Sequence, residues 1–161
     1  MWHPKFKGEC AEVAFLAKAM SLGFTVSKPY GDTSPFDFIV TLGARTWRVN
    51  VKSTWERQRN GEYRIRVGGC STFGPRRYRK GEVDFVVGYV MREDAWYVIP
   101  MGAIPTRFTI DLKPHLGRRG GRFEKYREAW GLLRTKEKVE RKKEKVRAAV
   151  RQRQRSAISS R

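Results

Sequence analysis

A chain of 161 residues with 40% apolar content can bury one core and is too short for two ordinary domains. Its 35 Lys and Arg against 16 Asp and Glu give a formal charge of +19, far beyond what solubility needs, which points to a polyanionic partner and first to nucleic acid. No stretch approaches the roughly 20 apolar residues of a spanning helix, and MWHPKFKGEC lacks a signal-peptide apolar run, so an intracellular, cytoplasmic protein with no membrane partner is expected.

In chain order, Gly8 to Gly23 places Ala11, Phe15, Ala19 and Leu22 at helical spacing, with Val13, Leu16 and Met20 widening the stripe and Gly23 as a stop. FTVSKP reads as a short strand and YGDTSP as a loop. Phe36 to Thr54, FDFIVTLGARTWRVNVKST, reads as a hairpin turning at Gly43. EYRIRV is an alternating strand, and the glycine-rich, basic GGCSTFGPRRYRKG reads as a loop. VDFVVGYV and AWYVIP are nearly continuous apolar runs, as interior strands are, with GRRGGR a basic loop beyond them. FEKYREAWGLLR sets Phe123, Tyr126, Trp130 and Leu133 on one helical face. From Arg134 onward there are 12 basic and 3 acidic residues and few apolar ones, the composition of a basic arm, helical or disordered. The expected architecture is α/β, a central mixed β-sheet flanked by helices, with a domain over 1–133 and a basic C-terminal extension over 134–161.

Chemistry concentrates in the hairpin. Asp37 stands between Phe36 and Phe38, where an unpaired carboxylate is strongly disfavoured. Asn50 and Lys52 alternate with Val49 and Val51, so they share a face that can lie opposite Asp37. The preceding helix offers Glu9 and Glu12, three positions apart on nearly one face. Carboxylates followed by x-x-Lys suit phosphodiester hydrolysis: a hard divalent cation takes one or two carboxylates, and an ammonium holds the attacking water. Asp37 and Lys52 could equally be a structural ion pair. Cys10 and Cys70 belong to no CxxC pair and are expected as free thiols, and His3 and His115 have no partner at ligand spacing. Trp47, Trp96 and Trp130 fall on faces expected to be buried.

Gly8-Glu9-Cys10-Ala11-Glu12, Phe36-Asp37-Phe38-Ile39-Val40 and Arg48-Val49-Asn50-Val51-Lys52-Ser53 resemble the GxxxE, YD and RVQVKT motifs of the PD-(D/E)XK nucleases, in particular the small endonucleases encoded in group I introns. Arg76-Arg77-Tyr78, Glu82-Val83-Asp84-Phe85, Trp96-Tyr97-Val98-Ile99-Pro100 and Tyr126-Arg127-Glu128-Ala129-Trp130 extend the likeness over roughly residues 7 to 133. The resemblance implies a restriction-endonuclease-like core with Glu12, Asp37, Asn50 and Lys52 as the catalytic set. It also implies Mg²⁺, with Mn²⁺ a substitute, held by Asp37, Glu12 and the backbone carbonyl of Val51. Asn50 departs from the Glu or Asp of most of the superfamily and from the Gln frequent in the intron-encoded group. Its amide oxygen still accepts or ligates but brings no charge.

The expected activity is therefore site-specific, homing-type cleavage of double-stranded DNA by a homo-oligomer, dimer or tetramer. A Holliday-junction resolvase or restriction-like nuclease is the alternative on the same fold, and a catalytically inactive DNA-binding protein is another. Phosphate contacts are expected from Ser53, from Arg76, Arg77, Arg79 and Lys80, and from Arg118, Arg119 and Arg122.

Overall fold

The computed structural model describes residues 3–31, 33–71, 74–105 and 109–134. The chain divides into two compact units, Met1–Ala129 and Trp130–Arg161. The described part of the second is the 3-10 turn Trp130–Leu133 with Arg134, so most of the basic extension, residues 135–161, lies outside the described residues.

Helix α1 (Pro4–Ser21) begins four residues before Gly8, where the expected helical segment starts. Proline is preorganised for a first helical turn, and the His3 Nδ1 accepts the Lys5 amide at 3.3 Å. Leu22 caps its C-terminus and Gly23, at φ +83°, turns the chain away. Ala11, Phe15 and Ala19 are buried, whereas Val13 and Met20 face solvent, so the stripe is narrower than its composition implies.

Strands β1 (Thr25–Ser27), β2 (Phe38–Leu42) and β3 (Arg45–Thr54) follow. β2 and β3 pair antiparallel from Leu42↔Arg45 to Phe38↔Val49, and the two-residue turn needs the positive φ (+60°) that Gly43 supplies. β3 then outruns β2 and pairs parallel with β7 (Phe85–Val90), from Val49↔Phe85 to Thr54↔Val90. β8 (Ala95–Pro100) returns antiparallel along β7, giving a mixed five-stranded sheet in the order β1-β2-β3-β7-β8. Asp84 fastens the start of β7 to β3: its carboxylate accepts the Arg48 backbone amide at 2.8 Å and the guanidinium at 3.1 Å through two nitrogens, while its own amide donates to the Arg48 carbonyl.

Alternation along β3 gives the sheet two different faces. Trp47, Val49 and Val51 face α1, where Phe15 packs on Phe38 and Trp96 with ring centroids 5.1 and 6.3 Å apart. The opposite face is covered not by a helix but by a two-stranded sheet of β4 (Tyr63–Arg66) and β9 (Thr109–Leu112). Tyr63, Ile65, Ile110 and Leu112 join Val86, Val90, Tyr97 and Ile99 there in one buried cluster. Gly88 makes this approach possible, because a Cβ at that position would stand 2.9 Å from the Ile65 Cδ1.

Two expectations are corrected. Gly69–Ser71 (β5) and Gly74–Arg76 (β6) pair as a small hairpin inside the stretch that reads as a loop. The expected helix over Phe123 to Leu133 is instead the 3-10 turn Glu124–Tyr126, an extended Arg127 and Glu128 at φ +48°, followed in the second unit by Trp130–Leu133. The sheet edge outcompetes the helix here: Arg127 bridges Tyr97, the Glu128 amide donates to the Trp96 carbonyl at 2.8 Å, and the Trp96 amide donates to the Glu128 carboxylate at 3.0 Å. The buried Tyr97 hydroxyl donates to Glu124 at 2.9 Å, which holds the first turn down. No helix among the described residues is long and apolar enough to cross a membrane.

Candidate active site

The β2–β3 ladder stops at Phe38, and Asp37 takes over its role. Its amide donates to the Val49 carbonyl at 2.9 Å, and its carboxylate accepts the Val51 amide at 2.7 Å. One side of β3 is thereby closed by a side chain where a strand would otherwise run. Since the N–H and C=O of one strand residue point to the same side, the Val51 carbonyl emerges beside the Asp37 carboxylate.

Asn50 is 4% exposed, its Nδ2 donating to the Pro35 carbonyl at 3.3 Å. Its Oδ1 has no hydrogen-bond donor among the described residues, an orphan that normally costs stability. Lys52, two positions on and half-buried, acts on Asp37 by its charge. Glu12, half-buried on α1, accepts from the Lys28 ammonium at 2.7 Å, which raises the pKa of Lys28.

Two clefts meet at this point. One of about 470 Å³ is lined by Lys7, Gly8, Glu12, Asp37, Val51, Lys52, Ser53 and Trp55 among others. The other, of about 530 Å³, is lined by Ser34, Asp37, Asn50, Lys52, Arg66, Gly68, Gly69, Arg76 and Tyr78 among others. Both volumes fall in the range of about 300–1,000 Å³ typical of ligand sites. Asp37 and Lys52 border both. Glu9 shares neither and lines a third groove with Val13, Leu16 and Lys28, so of the two helix carboxylates only Glu12 meets Asp37.

Burial drives the Asp37 carboxyl above its ordinary value, outweighing the Lys52 charge and the Val51 hydrogen bond that pull it down. The protein's own groups thus undercompensate a carboxylate that the fold has placed beside an unpaired amide oxygen. The half-buried Asp37 carboxylate, the Glu12 carboxylate of the same cleft and the Val51 carbonyl are all hard oxygen donors that fit a divalent cation keeping several waters, and the orphan Asn50 Oδ1 can accept from such a water. No group of three or more Asp, Glu, His or Cys side chains clusters among the described residues, so a cage built only from protein side chains is not offered.

The residues expected to contact phosphate are dispersed. Ser53 lines the first cleft and Arg76 the second, but the Arg76 guanidinium is taken by Glu82 at 2.7 and 3.2 Å. Glu82 also accepts the Arg79 amide, and both contacts hold its carboxyl below the usual range. Arg77, Arg79 and Lys80 are exposed. Arg119 is exposed on the turn Pro114–Arg119, and Arg122 lines a separate cleft with Glu62, Asp111 and Lys113, donating to the Ala103 carbonyl at 3.0 Å. The side chain of Arg118 lies outside the described residues.

Three site neighbours were not among the expected site residues. Arg66 is visible there only as a polar position in an alternating strand. Trp55, 46% exposed at the mouth of the first cleft, follows the last residue of β3. Tyr78 donates to the Gly68 carbonyl at 3.0 Å, and its hydroxyl pKa is raised strongly by burial and by the charge of Asp37.

No curated protein matches this chain. Among solved structures it is similar to a bacterial homing endonuclease, I-Ssp6803I, at 31% sequence identity and a TM-score of 0.73, over 89% of this chain and 99% of that one. The family model described as PD-(D/E)XK endonuclease matches residues 2–133, which hold α1, the β2–β3 hairpin and both clefts, and the chain belongs to that family.

Proposed function

We propose that this chain is a metal-dependent endonuclease of double-stranded DNA, of the site-specific homing type, working as a homo-oligomer. The observation that carries this reading is the meeting of Asp37 and Lys52 at the junction of two clefts, with the unpaired Asn50 oxygen alongside. Asp37, the Val51 carbonyl and Glu12 would hold Mg²⁺ or Mn²⁺. Bound there, the cation would offset charge on the scissile phosphate and lower the pKa of water.

The chain's own residues do the rest. Lys52 holds a water in line with the phosphorus and steadies it as its proton leaves, while the Asn50 Oδ1 accepts a hydrogen bond from that water and orients it. Attack forms a new P–O bond to the water oxygen and breaks one P–O bond of the backbone, the water's proton passing to solvent and a solvent proton to the leaving oxygen. Residues 1–133 supply this chemistry, and the basic segment 134–161 adds sequence-independent phosphate attraction. A duplex cutter addresses two strands, which a two-fold arrangement of copies accomplishes.

The test is incubation of supercoiled and linear DNA, with four-way junctions beside them, in Mg²⁺ or Mn²⁺, using the wild type, Asp37→Ala and Lys52→Ala. Metal-dependent cleavage of duplex by the wild type and by neither variant is expected. Preferential cutting of junctions would make the protein a resolvase, and DNA binding with no cleavage under either metal would remove the enzyme assignment.

A further inference from the structure

Strand β4 buries Tyr63 and Ile65 and exposes Arg64 and Arg66. These two arginines share one face of one strand but have different partners. Arg64 lies opposite Asp111 in the β4–β9 register, and its Nε donates to the Asp111 Oδ1 at 2.7 Å. Arg66 lies opposite Thr109, which offers no charge, and no ion pair joins it to a carboxylate among the described residues.

Arg66 borders the cleft that holds Asp37, Asn50 and Lys52. The other arginine there, Arg76, is neutralised by Glu82, and Asp37 is the one carboxylate among the described lining residues. Two consecutive glycines, Gly68 and Gly69, line the same cleft and place no side chain in the way of a bulky anion. An exposed fork of five N–H donors with no carboxylate partner among the described residues has the geometry of a phosphate clamp over such a surface.

Resting on the nuclease reading above, we propose that Arg66 grips a backbone phosphate of the DNA strand that crosses Asp37 and Lys52, and so positions that strand for cleavage. Arg64 lines the first cleft, but its charge is already matched by Asp111, and that pairing makes it the internal control.

The experiment titrates the full chain with a short fluorescent duplex of random sequence, without divalent metal, over a series of salt concentrations. Wild type, Arg66→Ala, Arg66→Gln, Arg66→Lys and Arg64→Ala are compared; Arg66→Gln keeps the stem, so the result does not depend on tolerance of alanine. Arg66→Ala and Arg66→Gln are expected to bind roughly tenfold more weakly and to lower the slope of log K against log salt by about one. Arg66→Lys restores the slope, and Arg64→Ala keeps it. Wild-type affinity and slope in Arg66→Ala and Arg66→Gln would overturn the proposal, as would an equal loss in Arg64→Ala. Because binding is read without metal, an Arg66-dependent slope in a protein that never cleaves would support the clamp while removing the nuclease reading. A wild type that binds no DNA would overturn both.

Discussion

Replacing Asp37 by Asn is expected to make the protein more stable while abolishing its cleavage. The substitution keeps an oxygen to accept the Val51 amide, now 2.7 Å from the carboxylate, and removes a charge whose burial outweighs every group that stabilises it. Stabilisation of about 1 kcal/mol, a few degrees in Tm, is the magnitude for relieving strain at a functional site. The pH dependence has a definite sign. With its pKa raised above the ordinary aspartate value of 3.8, Asp37 binds more protons folded than unfolded in the window between the two values, so it weakens the fold progressively as pH rises through that window. The advantage of the Asn variant therefore opens with rising pH and levels off above the folded pKa. Thermal melts of both proteins across acid to neutral pH read this directly. Mg²⁺ bound at the proposed site is expected to add about 1.4 kcal/mol to the wild type at ten times its Kd and nothing comparable to the variant. A variant less stable than wild type at neutral pH without metal would refute the reasoning, since it would mean that the carboxylate is already compensated by the protein.

Gly88→Ala is expected to destabilise by about 1–3 kcal/mol through overpacking, because the new methyl meets Ile65 at 2.9 Å. Combining it with Ile65→Val should cost less than the sum of the two single changes in denaturant titrations, and strict additivity would show that the two residues do not touch. Asp84→Ala strips three hydrogen bonds from Arg48 and should cost about 1–3 kcal/mol. Discounted for the part-exposed guanidinium, most of that loss belongs to the backbone amide, so Arg48→Ala should be milder in the same melts.

What was legible in the sequence was whatever repeats locally. The Phe36 to Thr54 hairpin announced itself by alternation on both sides of Gly43, and the polar positions of that alternation are where the candidate site formed. Elements decided by distant partners were not legible. TIDL has a strand's composition over only four residues and becomes β9 through pairing with β4. Phe123 to Leu133 has a helix's spacing, but the open edge of β8 offers its backbone better partners at Arg127 and Glu128. Charge shows the same limit: Arg76 and Arg66 are both arginines in basic surroundings, and only the fold discloses that Glu82 occupies the first and Thr109 faces the second.

The Arg48–Asp84 clamp also bears on how the chain avoids folding wrongly. On β3 a slip of one residue would exchange the two faces, sending Lys52 and Asn50 into the core beneath α1 and Val51 out to the clefts. Asp84 grips both the backbone amide and the side chain of Arg48, so a slipped strand loses every one of those bonds together. Misregistered molecules would therefore forfeit core and chemistry in the same step. Selection for a stably folded chain then acts as proofreading for an intact site, with no separate device needed to check it.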